Sequence, residues 1–155
     1  MKAGQHGFTM VELVTVMILL GILSAAIVPR MLSRGDTAGP VFRSDILTAL
    51  RYAQKTAVSH RRLVCAAIGA GTVTLRISPN NPSTAGCTVA LPGPDGAIYN
   101  SSDPGTTAAT TIQGNTLQFL PNGDILDGAG VLIGTATITV TGQATINVDG
   151  GGVHG

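Results

Sequence analysis

A long apolar run opens the chain. Residues 8–28 contain a single charged side chain, Glu12, among apolar and small residues. A helix of about 21 residues would be about 31 Å long, which is close to the thickness of the hydrocarbon core of a bilayer. The pattern therefore predicts a transmembrane helix over 8–28, preceded by a short polar leader over 1–7.

A second apolar pattern has helical spacing and runs from Val41 to about Ser59. Polar residues occupy its other faces, which predicts a helix that packs one side on a domain. Pro29 and the helix breakers in Gly35 to Pro40 precede this pattern. We therefore predict residues 29–60 as the second half of the N-terminal helix, kinked at Pro29 and at Gly35–Pro40. The apolar positions are Phe42, Ile46, Leu50, Ala53 and Ala57.

The remaining chain has the short alternating runs and turn residues of an antiparallel β-structure. Leu63 to Ile68 and the strictly alternating Thr72 to Ser78 predict a hairpin with Val73, Leu75 and Ile77 facing inward. The fold class is therefore α+β: a long N-terminal helix, then an antiparallel β-sandwich or sheet over 61–149 and a flexible tail over 150–155. Further strands are predicted at 88–91, 116–120, 131–133, 135–141 and 144–148, with a turn at Gly142-Gln143 and loops at 80–86, 92–96 and 100–111.

The composition indicates that part of the chain lies in a membrane, and it argues against nucleic-acid binding by the chain as a whole. The 155 residues suffice for one ordinary domain, and a mean hydropathy of +0.36 is high for a wholly soluble chain. Charged residues make up 11%, the formal net charge is +1 and aromatic residues make up 3%. These values give no overall electrostatic signature of nucleic-acid binding and leave little material for a large aromatic platform.

The segment Gly7-Phe8-Thr9-Met10-Val11-Glu12 carries the clearest functional signal. A carboxylate near the start of a membrane segment costs about 2.5 to 3.5 kcal/mol on insertion scales, so Glu12 requires a partner. Cleavage before Phe8 would create an α-amine that can serve as this partner of Glu12. The segment resembles the type III signal of type IV prepilins. This resemblance implies that a prepilin peptidase cuts between Gly7 and Phe8, that Phe8 becomes N-methylated, and that Glu12 forms a salt bridge in assembly.

Two other interpretations compete with the prepilin signal. A secretory signal peptide also has a basic start and an apolar core, and Ser24-Ala25-Ala26 is an acceptable cleavage site. That alternative would release a secreted or periplasmic β-domain with a binding or adhesive function. Glu12 inside the apolar core argues against it. An ordinary signal anchor would tolerate the length of the run but gives no reason for the Gly-Phe-Thr-x-x-Glu arrangement.

Later residues narrow the resemblance to a subgroup. Leu50 to Ala57 followed by Arg61 to Ile68 is similar to the passage from helix to first strand in the GspH/FimT pseudopilin family. Phe119-Leu-Pro121-Asn-Gly123 is similar to that family's Phe-x-Pro-x-Gly element. The departures are Gln54-Lys55, where the family often has an arginine after its alanine, the absence of tryptophan, and the breakers at Gly35 to Pro40.

The resemblance implies a structural subunit, not an enzyme, and no cofactor. The protein would be a minor pilin of a type IV pilus, including the mannose-sensitive haemagglutinin type, or a pseudopilin of type II secretion. It would sit in the bacterial inner membrane with its C-terminal domain in the periplasm until it enters a pilus or pseudopilus. The implied partners are the prepilin peptidase, other pilin or pseudopilin subunits, an inner-membrane assembly platform and the lipid bilayer.

Cys65 and Cys87 are the two cysteines of the chain. They cannot supply four zinc ligands and no histidine lies near them in sequence, so a disulfide is expected if the domain is exported. Asn122, Asp124 and Asp127 precede Gly128 but lack the spacing of a calcium loop, and such residues commonly form turns. No metal site is therefore predicted.

The remaining titratable residues give little support for other sites. The three histidines are far apart in sequence, which argues against histidine-based catalysis. Arg61 and Arg62 could meet an acidic partner or a phosphate, but basic residues after a helix commonly cap its C-terminal dipole. The histidines are His6, His60 and His154.

DNA binding is not expected, although some FimT-like minor pilins are DNA receptors in natural transformation. From His60 onward, five aspartates outnumber the three arginines Arg61, Arg62 and Arg76. A surface that binds a duplex usually needs several basic contacts to phosphate. The aspartates are Asp95, Asp103, Asp124, Asp127 and Asp149.

Overall fold

The computed structural model describes residues 9–32, 35–82 and 86–155, with side chains described over 9–25, 38–82 and 86–155. The chain divides into two units, Met1–Arg34 and Gly35–Gly155. In the first unit, α1 covers Met10–Leu32 and includes Pro29. The leader 1–7 and Phe8 lie outside the described residues.

The second unit begins with α2, Gly35–His60, which includes Pro40. The helix thus begins six residues before Val41, and the breakers at Gly35 to Pro40 lie within its N-terminal part. The predicted one-sided packing is confirmed, because every apolar residue of the helical pattern is fully buried. These residues are Phe42, Ile46, Leu50, Ala53 and Ala57.

Within the residues that the structure describes, ten strands follow α2 and form two antiparallel sheets. The first sheet has the order β3-β2-β1-β6-β7, with β4 also paired to β2, and the second has the order β10-β9-β8-β5. The strands are β1 Val64–Ile68, β2 Thr72–Ile77, β3 Val89–Ala90, β4 Asn100–Ser102, β5 Ala108–Thr110, β6 Thr116–Phe119, β7 Ile125–Leu126, β8 Thr135–Val140, β9 Ile146–Asp149 and β10 Gly152–His154.

The predicted hairpin is the centre of the first sheet. Val64 lies opposite Ile77 and Ile68 lies opposite Val73, so β1 and β2 pair along their full length. Val73, Leu75 and Ile77 are buried as the alternation predicts, because residues two apart in a strand share a face. The helix α2 packs on this buried face and also contacts β8 and β10 of the second sheet. One core therefore joins the helix to both sheets.

Several elements differ from the predicted pattern. Asn100–Ser102, Ala108–Thr110 and Ile125–Leu126 are strands that the sequence analysis assigned to loops or left unassigned. Their two or three small or apolar residues show no alternation, and pairing with neighbouring strands holds them extended. Residues 131–133 were predicted as a strand but form only a bridge from Leu132 to Leu126.

The C-terminal residues are ordered, in contrast to the predicted flexible tail over 150–155. Asp149 Oδ1 accepts hydrogen bonds from the backbone N–H groups of Gly151 at 2.8 Å and Gly152 at 3.0 Å. Its Oδ2 lies 3.2 Å from Nε2 of His154. These hydrogen bonds, that of Gly151 foremost, and the adjacent imidazole hold the pKa of Asp149 below its ordinary value. The aspartate thereby shapes the turn that returns β10 to pair with β9.

Candidate functional site

The start of α1 places Glu12 in its first turn. Thr9 stands directly before the helix, and its Oγ1 accepts a hydrogen bond from the backbone N–H of Glu12 at 3.2 Å. Its carbonyl accepts the N–H of Leu13, also at 3.2 Å. Thr9 and Glu12 therefore occupy the first and last positions of the Thr-x-x-Glu capping-box sequence. Glu12 also lies where the helix dipole favours a negative charge. Gly7 and Phe8, the predicted cleavage and methylation positions, lie outside the described residues.

The described part of α1 exposes an apolar surface. Met10 is 85% exposed, Val11 75% and Ile22 64%, and the other large apolar side chains up to Leu23 are exposed as well. Water-exposed apolar area of this kind marks an interaction surface for lipid or protein. Within the helix, the hydroxyl groups of Thr15 and Ser24 donate to the carbonyl oxygens of Val11 at 2.7 Å and Leu20 at 2.6 Å. These hydroxyl groups are thus satisfied without water.

No helix among the residues searched combines the length and the hydropathy needed to cross a membrane. The span predicted over 8–28 extends beyond the described side chains at both ends.

Comparison with known proteins gives matches to short segments. Residues 2–28 match the family model of the prokaryotic N-terminal methylation motif. A stretch of 34 residues is 50% identical to the type II secretion system core protein G of Pseudomonas aeruginosa. The N-terminal segment therefore carries a prokaryotic N-terminal methylation motif. The similar stretch covers 22% of this chain and 24% of the Pseudomonas protein, so the match spans about a quarter of that relative. No solved structure matches the chain.

The domain contains the expected disulfide. Cys65 of β1 is bonded to Cys87, which lies 22 residues later, and their Cα atoms are 5.9 Å apart. The bond therefore ties β1 to the segment that leads into β3. The cysteines are accounted for structurally, since no free cysteine is found in the described chain.

Loss of this disulfide should destabilise the domain. Closing a loop of this length contributes about 3 kcal/mol in the chain-entropy model, so the Cys65→Ser, Cys87→Ser double variant should unfold more easily by about that amount. Urea unfolding measures the difference. Alkylation of the denatured, unreduced wild-type protein provides the control and should modify neither cysteine. Complete modification of both would show that the bond is absent in the isolated protein.

Asn122, Asp124 and Asp127 serve as turn residues. Asn122 Nδ2 donates to Asp124 Oδ2 at 2.6 Å, and Asn122 Oδ1 accepts the backbone N–H of Asp124 at 3.2 Å. Asp127 Oδ1 accepts the N–H groups of Ala129 and Val131, both at 2.9 Å. The geometry thus matches the turn interpretation. Over the described chain, no group of three or more potential metal-binding side chains occurs.

The basic residues near the end of α2 are exposed, and two of them, Arg61 and Arg62, lie where the helix ends. Arg61 has a left-handed φ of 51°, and the N–H of Arg62 donates to the carbonyl oxygen of Ala57 at 3.1 Å. This backbone geometry terminates the helix. Arg51 and Lys55 lie earlier in α2, on its exposed side.

The described histidines lie apart from each other in the sequence. His60 is exposed at the end of α2, whereas His154 lies in β10 and pairs with Asp149. His6 lies outside the described residues.

A cleft that no sequence pattern predicts lies beside α2. It has a volume of about 310 Å³ and is lined by Asp45, Asp95, Ile98 and Tyr99, among others. The ring of Tyr99 stacks on that of Tyr52 with centroids 5.8 Å apart. The Tyr52 hydroxyl donates to the carbonyl oxygen of Pro92 at 2.8 Å. Burial, with the Asp45 carboxylate as a second cause, raises the pKa of Tyr99.

Proposed function

We propose that the protein is a membrane-anchored minor pilin or pseudopilin that is cleaved by a prepilin peptidase and then assembled into a filament. The GspH/FimT resemblance of the helix-to-strand passage and of the Phe119 to Gly123 element supports this subgroup. The observation that carries the proposal is the methylation motif, followed directly by an exposed apolar helix with one carboxylate in its first turn.

The physical role of α1 follows from this exposed surface. In the membrane, lipid would cover its apolar side chains; in the filament, helices of neighbouring subunits would cover them instead. Because both environments are apolar, the transfer of α1 from lipid to filament requires little change in hydrophobic free energy. Packing and charged interactions between subunits would therefore decide whether the transfer is favourable. Glu12 is the residue of the described helix that can make a charged interaction with a new α-amine at Phe8.

Processing tests the proposal most directly. We expect the mature chain isolated from membranes to begin at N-methylated Phe8, which intact-mass and N-terminal peptide measurements would show. Substitution of Gly7 should leave the precursor uncut. A mature chain that begins at Ile27 would contradict the proposal and support the alternative of a β-domain released by signal peptidase.

The proposed partners do not include DNA. The acidic balance from His60 onward predicts no binding by the soluble domain tighter than about 10⁻⁴ to 10⁻⁶ M, the non-specific range at physiological salt. A fluorescence anisotropy titration with duplex DNA measures this affinity. Sub-micromolar binding that weakens with salt would contradict the prediction.

A further inference from the structure

Among the described residues, the exposed side of α2 carries positive charge that no ion pair neutralises. We use the name basic face for the exposed residues Arg51, Lys55, Val58, Arg61 and Arg62. The helix dipole accounts for cations in the last turn, but Arg51 and Lys55 lie nine and five residues before His60, where its influence has faded. As like charges four residues apart they also repel each other slightly. The only ion pair within the described residues is that of His154 and Asp149, so no described carboxylate neutralises this face.

The cleft beside α2 has the complementary charge. We call it the acidic cleft, with Asp45, Asp95, Ile98 and Tyr99 as its main residues. Asp45 Oδ2 accepts the Ser101 hydroxyl at 2.6 Å, and Asp95 Oδ1 accepts the N–H of Ala97 at 3.2 Å. Each carboxylate keeps its other oxygen for a further donor, while no described cation pairs with either of them.

The walls of the acidic cleft suit a long cationic side chain. The Tyr99 ring, supported by its stack on Tyr52, offers an aromatic face to which a cation is attracted. Ile98 is 68% exposed and can cover the aliphatic stem of a lysine or arginine. A volume of about 310 Å³ accommodates such a side chain. The chemistry of the site therefore selects an ammonium or guanidinium group.

The two surfaces occupy different sides of the same unit. Asp45 precedes Arg51 by six residues on α2, which places the two side chains about 120° apart around the helix. We propose that the basic face of one copy docks on the acidic cleft of a second copy, with Lys55 or Arg51 entering the cleft. Such a contact joins two unlike surfaces and can repeat along a linear assembly. The inference rests on the proposed function and specifies which surfaces adjacent subunits use.

Zero-length crosslinking of the full-length protein in detergent micelles tests this contact. A carbodiimide links an amine to a carboxylate only where the two groups touch, and Lys55 is the one lysine of the chain beyond Lys2. In an equal mixture of unlabelled and ¹⁵N-labelled chains, we expect mixed-isotope peptides that join Lys55 to Asp95 or Asp45. Crosslinks that join only peptides of the same isotope would overturn the proposal, because they would arise within one chain.

Charge variants separate the specific contact from non-specific association through α1. Lys55→Arg should abolish the crosslink but leave self-association, measured by sedimentation, unchanged, since the positive charge remains. Arg51→Glu with Lys55→Glu should weaken self-association by up to about fivefold for each lost pair, and mixing with an Asp95→Lys chain should restore association between the two variants. Unchanged sedimentation of the double variant would overturn the proposal, as would sub-micromolar capture of duplex DNA by the basic face.

The outcome is distinguishable from failure of the proposed function. Crosslinking in detergent requires neither cleavage before Phe8 nor a filament. A chain that is processed and assembled but shows no Lys55 crosslink between copies would refute only the docking contact. A chain that shows the crosslink but begins at Ile27 would refute only the filament role.

Discussion

Replacing Glu12 with alanine is expected to leave cleavage of the leader largely intact and to reduce incorporation into filaments by at least about tenfold. The reason is that the α-amine of Phe8 on an adjacent subunit would enter an apolar environment without its partner. An unpaired buried charge costs about 3 to 5 kcal/mol, which exceeds the roughly 1.4 kcal/mol that corresponds to a factor of ten. The measurement compares precursor, mature and filament-bound fractions in cells by immunoblotting.

Two further variants distinguish the charge of Glu12 from its local role in the helix. The capping box accepts glutamine in place of glutamate, so Glu12→Gln preserves the cap and removes the charge. Thr9→Ala removes the hydrogen bond from the Glu12 N–H and preserves the charge. The assembly role predicts that Glu12→Gln fails like alanine and that Thr9→Ala assembles nearly normally. The reverse result would show that Glu12 acts as a helix-capping residue.

The parts of the fold that the sequence predicts correctly depend on local periodicity. The spacing of Phe42, Ile46 and Leu50 identifies the buried face of α2, because a helix repeats its faces every three or four residues. The alternation around Leu75 identifies the inward face of β2 in the same way. Each of these patterns lies within a single helix or strand. The sequence therefore predicts the buried face of the element without information on the elements that pack against it.

The features that the sequence pattern does not predict depend on more than the periodicity of one segment. Residues 131–133 are an apolar run, yet Val131 is 60% exposed, because apolar residues also occur in exposed connections. In contrast, β10 contains Gly152 and His154, and the carboxylate of Asp149 at the end of β9 accepts the N–H of Gly152. The acidic cleft combines Asp45 of α2 with Asp95 and Tyr99, about 50 residues later along the chain. No spacing rule connects these positions.

The N-terminal methylation motif can be identified from the sequence for a different reason. The motif consists of consecutive residues, from Gly7 to Glu12, so it is visible in the sequence without knowledge of the fold. The structure adds that Thr9 caps α1 and that Glu12 follows in the first turn. The position of Glu12 in the capping-box sequence is therefore compatible with its proposed role in assembly. The Glu12→Gln and Thr9→Ala variants distinguish the two roles.

Substitution of Phe119 should strongly destabilise the domain. Phe119 in β6 is 1% exposed and lies opposite both Val64 and Ile125, so its ring fills the core at the junction of three strands. Removing a buried phenylalanine ring costs about 3 to 5 kcal/mol through lost burial and the remaining cavity. We therefore expect Phe119→Ala to lower the free energy of unfolding by that amount, and Phe119→Leu to lower it less because leucine fills part of the space.

Tyrosine fluorescence during urea unfolding of the full-length protein in detergent measures this loss. The chain has no tryptophan and two tyrosines, Tyr52 and Tyr99, which stack in the domain. The signal therefore reports unfolding of the domain rather than of α1. Val131→Ala is the matched control, because Val131 is 60% exposed and its truncation should change the free energy by less than about 0.5 kcal/mol. Equal effects of Phe119→Ala and Val131→Ala would show that β6 does not pack in the core.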